Sequence, residues 1–245
     1  MGCFLTKSSL GRKLVMSVSG CFLVLFLLFH MSMNLVALVN LLSPNPKEPE
    51  FFGLDYETIC EFLGTNWYAM AGTVVLALGV VVHIAYAFWL TLQNRKARGD
   101  VRYAVTVKEE GVSWASKNML VLGIIVALGL VLHLVNFWSK MQLQELLGDA
   151  PEKGVELIRT TFSCPVTVVL YLVWLTALWF HLTHGVWSMM QTAGAANDKW
   201  YCRLKCLANA LATIVCLGFA AVVVTFFVYN LTHHTVNCCL CGICG

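Results

Sequence analysis

Charged side chains are scarce in this 245-residue sequence: Asp, Glu, Lys and Arg make up 12% of it, whereas 59% is hydrophobic. A soluble domain carries roughly 25% charged residues, so this chain has too little charge to cover a surface that faces water. The eleven cysteines are scattered and lack the short, even spacing that holds a small secreted domain together. These shortages exclude a soluble globular protein and a disulfide scaffold, and they indicate that most of the surface faces a bilayer.

Five runs contain no Asp, Glu, Lys or Arg, and each holds about 20 residues or more, enough to cross a ~30 Å hydrocarbon core at 1.5 Å per residue. Backbone groups in lipid have no water to bond, so each run must be helical. The sequence therefore predicts an all-α integral membrane protein, a bundle of five transmembrane helices in a single domain over residues 1–245. We name the runs span one to span five: Leu14–Leu42, Trp67–Leu92, Met119–Trp138, Pro165–Met190 and Leu207–Leu231.

Lys and Arg are distributed unevenly between the two sides of this bundle. Twelve of the sixteen lie in the N-terminal tail and in the loops that follow spans two and four, and four lie on the other side. By the positive-inside rule, this bias predicts a cytoplasmic N-terminus and a C-terminus outside. We expect a multi-pass protein of the cytoplasmic (inner) membrane of a bacterium.

Histidines are the chemically informative residues, because ionisable groups inside a bilayer are costly and usually functional. A single histidine in a membrane helix often only bonds a neighbouring helix. A metal-ion or proton pathway is another reading, but such sites usually add Asp or Glu, and the runs contain none. The histidines inside the runs are His30, His83, His133, His181 and His184.

The depths of four of these histidines form a pattern. Counted from the cytoplasmic end, His83 and His181 lie roughly 9 residues deep and His30 and His133 roughly 14–16, which gives two layers separated by roughly 8–10 Å at 1.5 Å per residue. We name His83 and His181 the inner pair and His30 and His133 the outer pair. Six-coordinate b-type haem needs one axial imidazole from each side of the iron, so the pattern predicts two haems b held between spans one to four.

Small residues stand one helical turn from several of these histidines, where a flat macrocycle would need space. They are Gly79, Gly129, Ala177 and Gly185. His184 is the ambiguous histidine: it could replace His181 as a ligand, bond a haem propionate or simply pack.

The segments Ser17–Gly20, His30–Asn34 and Phe180–Thr192 carry a family resemblance. The chain resembles the single-polypeptide, di-haem cytochrome b membrane-anchor subunit of succinate:quinone oxidoreductases, the succinate dehydrogenase and fumarate reductase complexes. The resemblance covers span number, histidine placement and loop order over nearly the whole chain. It implies electron transfer between an iron–sulfur subunit and a membrane quinone, with menaquinone preferred.

The resemblance also implies roles for individual residues. His83 and His181 would ligate the haem near the dehydrogenase, and His30 and His133 the distal haem. The remaining candidates are Ser17 and Trp114 near the inner propionates, Arg159 near the outer propionates, and Glu57 and Glu61 near the quinone. For Arg159, Glu57 and Glu61, an ordinary role as a charged loop residue is the alternative.

The implied partners are a flavoprotein subunit with covalent FAD and an iron–sulfur subunit on the cytoplasmic face, together with lipid and quinone; no nucleic acid is expected. This chain shows no glycine-rich nucleotide loop and no iron–sulfur cysteine motif, so those cofactors would lie on the partners. Pairing of two complexes is left open. Some family members carry a Glu two residues before the span-four ligand, where this chain has Trp179, which argues against that proton route here.

Two competing functions and the C-terminal segment complete the sequence predictions. The chain could be the cytochrome b anchor of a hydrogenase or formate dehydrogenase, or a haem-free membrane transporter. Residues 232–245 form a Cys-rich tail, which we interpret as dispensable, with a metal site as the alternative.

Overall fold

The computed structural model describes residues 8–43, 55–98, 113–195, 197, 199–233 and 235–236. This part of the chain forms helices and no strands. Five helices are long and apolar enough to cross a membrane, which confirms the prediction of an all-α fold with five helices of this kind. They are Ser9–Leu42, Trp67–Arg98, Met119–His133 continued by a π-helical turn at Leu134–Trp138, Pro165–Thr192 and Tyr201–Thr232.

Most spans are longer than the charge-free runs that predicted them. Span one begins at Ser9, because the Ser8 hydroxyl caps the helix by accepting a hydrogen bond from the Gly11 amide at 2.8 Å. Span two continues to Arg98. The predicted ends were too short because a helix remains stable in the polar interface beyond the hydrocarbon core.

The best-packed part of the bundle lies between spans one, four and five. Val36 of span one, Leu175 of span four and Phe226 of span five belong to one buried cluster. By contrast, the most apolar stretch of span two has no buried residue. Span two thus lies at the edge of the bundle, with an apolar surface suited to lipid.

Short helices lie between the spans. Tyr56–Thr65, Gln142–Leu147 and Gly154–Thr161 follow spans one and three, and Trp114–Lys117 precedes span three. Several sequence predictions fall outside the described residues: the N-terminal residues 1–7, most of the basic loop after span two, and nearly all of the Cys-rich tail.

Candidate functional site

The bundle brings the predicted histidine pairs together. The ring centres of His30 and His133 are 5.7 Å apart, and those of His83 and His181 are 6.3 Å apart. An imidazole nitrogen lies about 2 Å from a metal ion that it binds, so two imidazoles on opposite faces of one iron would have ring centres roughly 6 Å apart. Both pairs therefore have the spacing of two axial ligands.

The inner pair is surrounded by span one and span three. The Ser19 hydroxyl lies 3.1 Å from Nδ1 of His83. A β-carbon at Gly20 would come within 3.5 Å of the His83 ring, and one at Gly123 within 3.8 Å of the His181 ring. Small residues thus do face these rings, but they are Gly20 and Gly123, on helices other than those that carry the histidines.

An apolar cleft of about 460 Å³ opens between spans one and two beside this pair. Ser19, Phe22 and Gly79 are among its lining residues. Because Ser19 also contacts His83, the cleft adjoins the inner pair. A large flat apolar group bound at His83 could extend into it.

The outer pair is enclosed by aromatic rings. Phe26 stacks on His30 with ring centres 5.4 Å apart, and Phe137 and Trp174 lie 5.1 and 5.7 Å from His133. The expectation of free space beside Gly129 is wrong, because the Trp174 ring occupies it. A macrocycle at the outer pair would have to share its layer with these rings.

Side-chain hydrogen bonds link His30 to the outer surface. The Asn34 amide nitrogen donates to the His30 carbonyl at 2.8 Å and lies 3.4 Å from Nδ1 of His30. The Tyr56 hydroxyl, on a short helix outside the bundle, donates to the Asn34 side-chain oxygen at 3.5 Å.

The two layers are farther apart than the sequence predicted. Ser19 is level with the inner pair, and His30 follows it by eleven residues on the same helix; Gly123 and His133 are ten residues apart. Both intervals give a separation of roughly 15 Å at 1.5 Å per residue. The estimate of 8–10 Å was too small because the charge-free runs do not end at a common depth.

His181 rather than His184 faces His83. The His181 ring is paired with His83, whereas His184 makes no ring contact or hydrogen bond among the described residues. Trp114 is exposed but packs on Phe180, next to His181, with ring centres 5.1 Å apart. Ser17 is half-buried and makes no side-chain hydrogen bond with the described residues.

Arg159 lies at the outer end of the bundle, close to span five. Its guanidinium bonds Glu156 at 3.3 Å and lies over the Tyr229 ring at 5.2 Å. Its Nε is buried without a hydrogen-bond partner in the described part of the chain. Arg159 therefore keeps one buried donor for an anionic group, as the propionate prediction requires.

The two candidate quinone carboxylates differ in what they contact. Glu57 accepts hydrogen bonds from the backbone amides of Gly154 and Val155, both at 2.9 Å. Its carboxylate thus caps the short helix Gly154–Thr161, which favours the structural alternative for this residue. Glu61 is exposed, and its carboxylate makes no hydrogen bond or salt bridge with the described residues.

Two neighbours of Glu57, the buried Tyr56 and the half-buried Cys60, have raised pKa values. Burial, and then the charge of Glu57, raises the pKa of the Cys60 thiol to about 12. Burial and then Cys60 raise the pKa of the Tyr56 hydroxyl well above its usual value. Neither group ionises near neutral pH.

A polar cavity of about 170 Å³ lies between the end of span three and the start of span four. Asn136, Lys140 and Thr167 are among its lining residues. Asn136 also donates a hydrogen bond to the Tyr171 hydroxyl at 3.2 Å, and the Tyr171 ring lies 6.3 Å from the His133 ring. The cavity is thus two side chains away from the outer pair, and nothing in the sequence pattern had singled it out.

The donor type and ring spacing at both pairs suit the two axial ligands of a haem, and the described structure has an adjoining apolar cleft beside the inner pair. Nδ1 of His133 and Nδ1 of His181 are buried without a hydrogen-bond partner among the described residues, an arrangement that costs about 1–3 kcal/mol for each polar group. A hydrogen-bond partner or a bound metal at these nitrogens would remove this cost. The described residues contain no group of three or more His, Cys, Asp or Glu side chains placed to hold a metal ion. A haem site needs only two protein ligands, because the porphyrin supplies the others.

No protein-family model, no curated protein and no solved structure matches this chain. The function must therefore be argued from the geometry of the two pairs. Sequence reasoning missed Ser19, Gly20, Gly123 and Asn34 as neighbours of the histidines. Three of them lie inside the segments that carry the family resemblance, which was the available signal.

Proposed function

We propose that this protein is the membrane-anchor cytochrome b subunit of a succinate dehydrogenase or fumarate reductase. It would transfer electrons between an iron–sulfur subunit and a quinone through two b haems. The observation that carries the proposal is that four histidines lie in two separate pairs, with ring centres 5.7 and 6.3 Å apart within each pair. A histidine that only hydrogen-bonds a neighbouring helix need not lie opposite a second histidine. Here two such facing pairs occur, at different depths.

The chain's own residues would hold, orient and enclose the cofactors. His83 and His181 would supply the axial nitrogens of the inner haem, and His30 and His133 those of the outer haem. Bound haem iron supplies one-electron oxidation and reduction. Trp114 and Ser17 would lie near the inner propionates, and the buried Nε of Arg159 would face the outer ones.

The quinone is assigned to the outer end of the bundle, where menaquinone is preferred by resemblance. Glu57 and Glu61 remain candidates, although Glu57 already caps a helix. The polar cavity at Asn136 and Lys140 is a further candidate. Its amide and ammonium donors suit the carbonyl oxygens of a quinone ring, and it is close to the outer pair.

The orientation and partners belong to the same proposal. Cys164, at the start of span four, is disulfide-bonded, and disulfides persist in oxidising compartments such as the bacterial periplasm. This supports an extracytoplasmic location for the outer pair, in agreement with the positive-inside bias of the loops. A flavoprotein subunit with FAD and an iron–sulfur subunit would then dock at the cytoplasmic end, near the inner pair.

The test is a pyridine haemochrome assay on the purified chain, with haem b counted per polypeptide. The expected result is two haems b per chain and a visible spectrum of low-spin iron. A preparation that is supplied with haem during expression and still contains none would refute the proposal and favour a haem-free transporter. Succinate-dependent reduction of the haems in the isolated complex would separate this family from a hydrogenase or formate dehydrogenase anchor.

A further inference from the structure

The hydroxyl of Ser19, on span one, makes one hydrogen bond within its own helix and one to span two. It lies 3.1 Å from the Met16 carbonyl oxygen, one turn earlier on the same helix, and 3.1 Å from Nδ1 of His83 on span two. The residue is 9% exposed. Serines in membrane helices commonly bond a carbonyl of their own helix, so the second contact is the informative one.

The two contacts together favour one of the two tautomers of His83. A carbonyl oxygen only accepts, so the single hydroxyl proton of Ser19 is used in the bond to Met16. With the hydroxyl proton placed on the Met16 bond, the ring nitrogen facing Ser19 acts as the donor, so the contact favours the Nδ1–H tautomer of His83. Its Nε2 is left with a free lone pair, which is the form of histidine that binds a metal.

The other three histidines lack this arrangement. Nδ1 of His133 and Nδ1 of His181 have no hydrogen-bond partner among the described residues. Nδ1 of His30 faces the Asn34 amide nitrogen at 3.4 Å, and an amide nitrogen donates but does not accept. Asn34 therefore favours the opposite tautomer at His30, and His83 alone among the four is prepared for iron by a side chain in the described structure.

We propose that Ser19 is a positioning residue for the inner haem: it fixes the tautomer and orientation of His83 and strengthens this ligand. The inference rests on the proposed function, since it assigns a role toward the same iron. A hydrogen bond from Nδ1–H to an acceptor raises the basicity of the ligating nitrogen, which stabilises oxidised iron. Ser19 therefore both tightens the inner site and lowers the reduction potential of its haem.

The test compares Ser19→Ala with Ser32→Ala in the full-length chain. Ser32 is a matched control, because its hydroxyl also bonds a carbonyl one turn earlier, at Phe29, but it is exposed and contacts no histidine. In Ser19→Ala, we expect haem affinity at one of the two sites to fall about 10- to 100-fold. The reduction potential of one haem should rise, and one low-spin electron paramagnetic resonance signal should shift.

Ser32→Ala should match the wild-type protein in all three measurements. Ser19→Thr keeps the hydroxyl and should restore haem affinity and potential toward wild-type values. If Ser19→Ala and Ser32→Ala have the same haem content, potentials and signals as the wild-type protein, the role of Ser19 is overturned while the haem proposal stands.

A second measurement does not depend on haem. In haem-free protein labelled with 15N-histidine, nuclear magnetic resonance reports which ring nitrogen is protonated, and His83→Ala identifies the His83 signals. The expected result is a protonated Nδ1 that becomes a mixture of tautomers in Ser19→Ala. A mixture already present in the wild-type chain, or one unaffected by Ser19→Ala, would overturn the inference whether or not the chain binds haem.

Discussion

At the scale of single residues, the direction of a side chain from its helix decides which histidines face one another. His181 and His184 are three residues apart on span four, so they point in directions that differ by about 60° around the helix axis. Only His181 is paired with the His83 ring. The sequence left both as candidates, and the rotation of span four against span two separates them.

This difference predicts opposite outcomes for two alanine variants on the same helix. His181→Ala should retain one haem per chain, because the proposed inner haem would lose an axial ligand. His184→Ala should retain two. Haem counting on both purified variants is the measurement, and loss of one haem from His184→Ala together with two in His181→Ala would reverse the assignment.

At the scale of helices and their connections, carboxylates outside the bundle stabilise the short helices that cover its outer end. Glu57 satisfies the free amides at the start of Gly154–Thr161 from 97 residues away in sequence. That helix carries Arg159, whose carbonyl accepts a hydrogen bond from Asn230 of span five at 2.8 Å. The connection between spans three and four is thereby fixed to both neighbouring segments.

Removing this cap should reduce the stability of the protein and leave its haem content unchanged. We expect Glu57→Ala to reduce the free energy of unfolding by about 1–2 kcal/mol, the usual range for a lost helix cap, and to lower the thermal midpoint in detergent. Glu61→Ala is the control, since Glu61 is exposed and its carboxylate makes no hydrogen bond or salt bridge in the described part of the chain. An unchanged midpoint in Glu57→Ala combined with loss of quinone reduction would instead support Glu57 as a quinone ligand.

At the scale of the whole molecule, the bundle has two chemically different ends. The inner end carries the exposed cysteines Cys202 and Cys206 at the start of span five. The outer end carries the half-buried Cys60, whose raised pKa of about 12 keeps it as the unreactive thiol at pH 8. Cysteine reactivity therefore reports both the orientation and the burial of the chain.

Modification by a membrane-impermeant maleimide in sealed vesicles should differ between the cysteines at the two ends. Cys202 and Cys206 should react in inside-out vesicles and remain protected in right-side-out vesicles, as mapped by peptide mass spectrometry. Cys60 should react slowly in both and rapidly after denaturation, which provides an internal control. Rapid modification of Cys202 in right-side-out vesicles would invert the proposed orientation.

The sequence by itself determined the number of spans and their helical form. A run of about 20 residues without charged side chains is suited to the bilayer, and there a helix satisfies all of its backbone hydrogen bonds internally. The sequence also determined which histidines lie at similar depth, since depth along a helix follows from residue number. These two regularities were sufficient to predict both histidine pairs.

The tertiary structure alone decided what surrounds those pairs. Three of its contacts join segments far apart in sequence: Ser19 with His83, Trp174 with Gly129, and Glu57 with the start of Gly154–Thr161. The separation of the two layers likewise follows from how the helices pack. Such contacts depend on how far each helix is rotated and shifted against its neighbours. Rotation and shift are set by the packing of many side chains at once, and no local sequence pattern contains them.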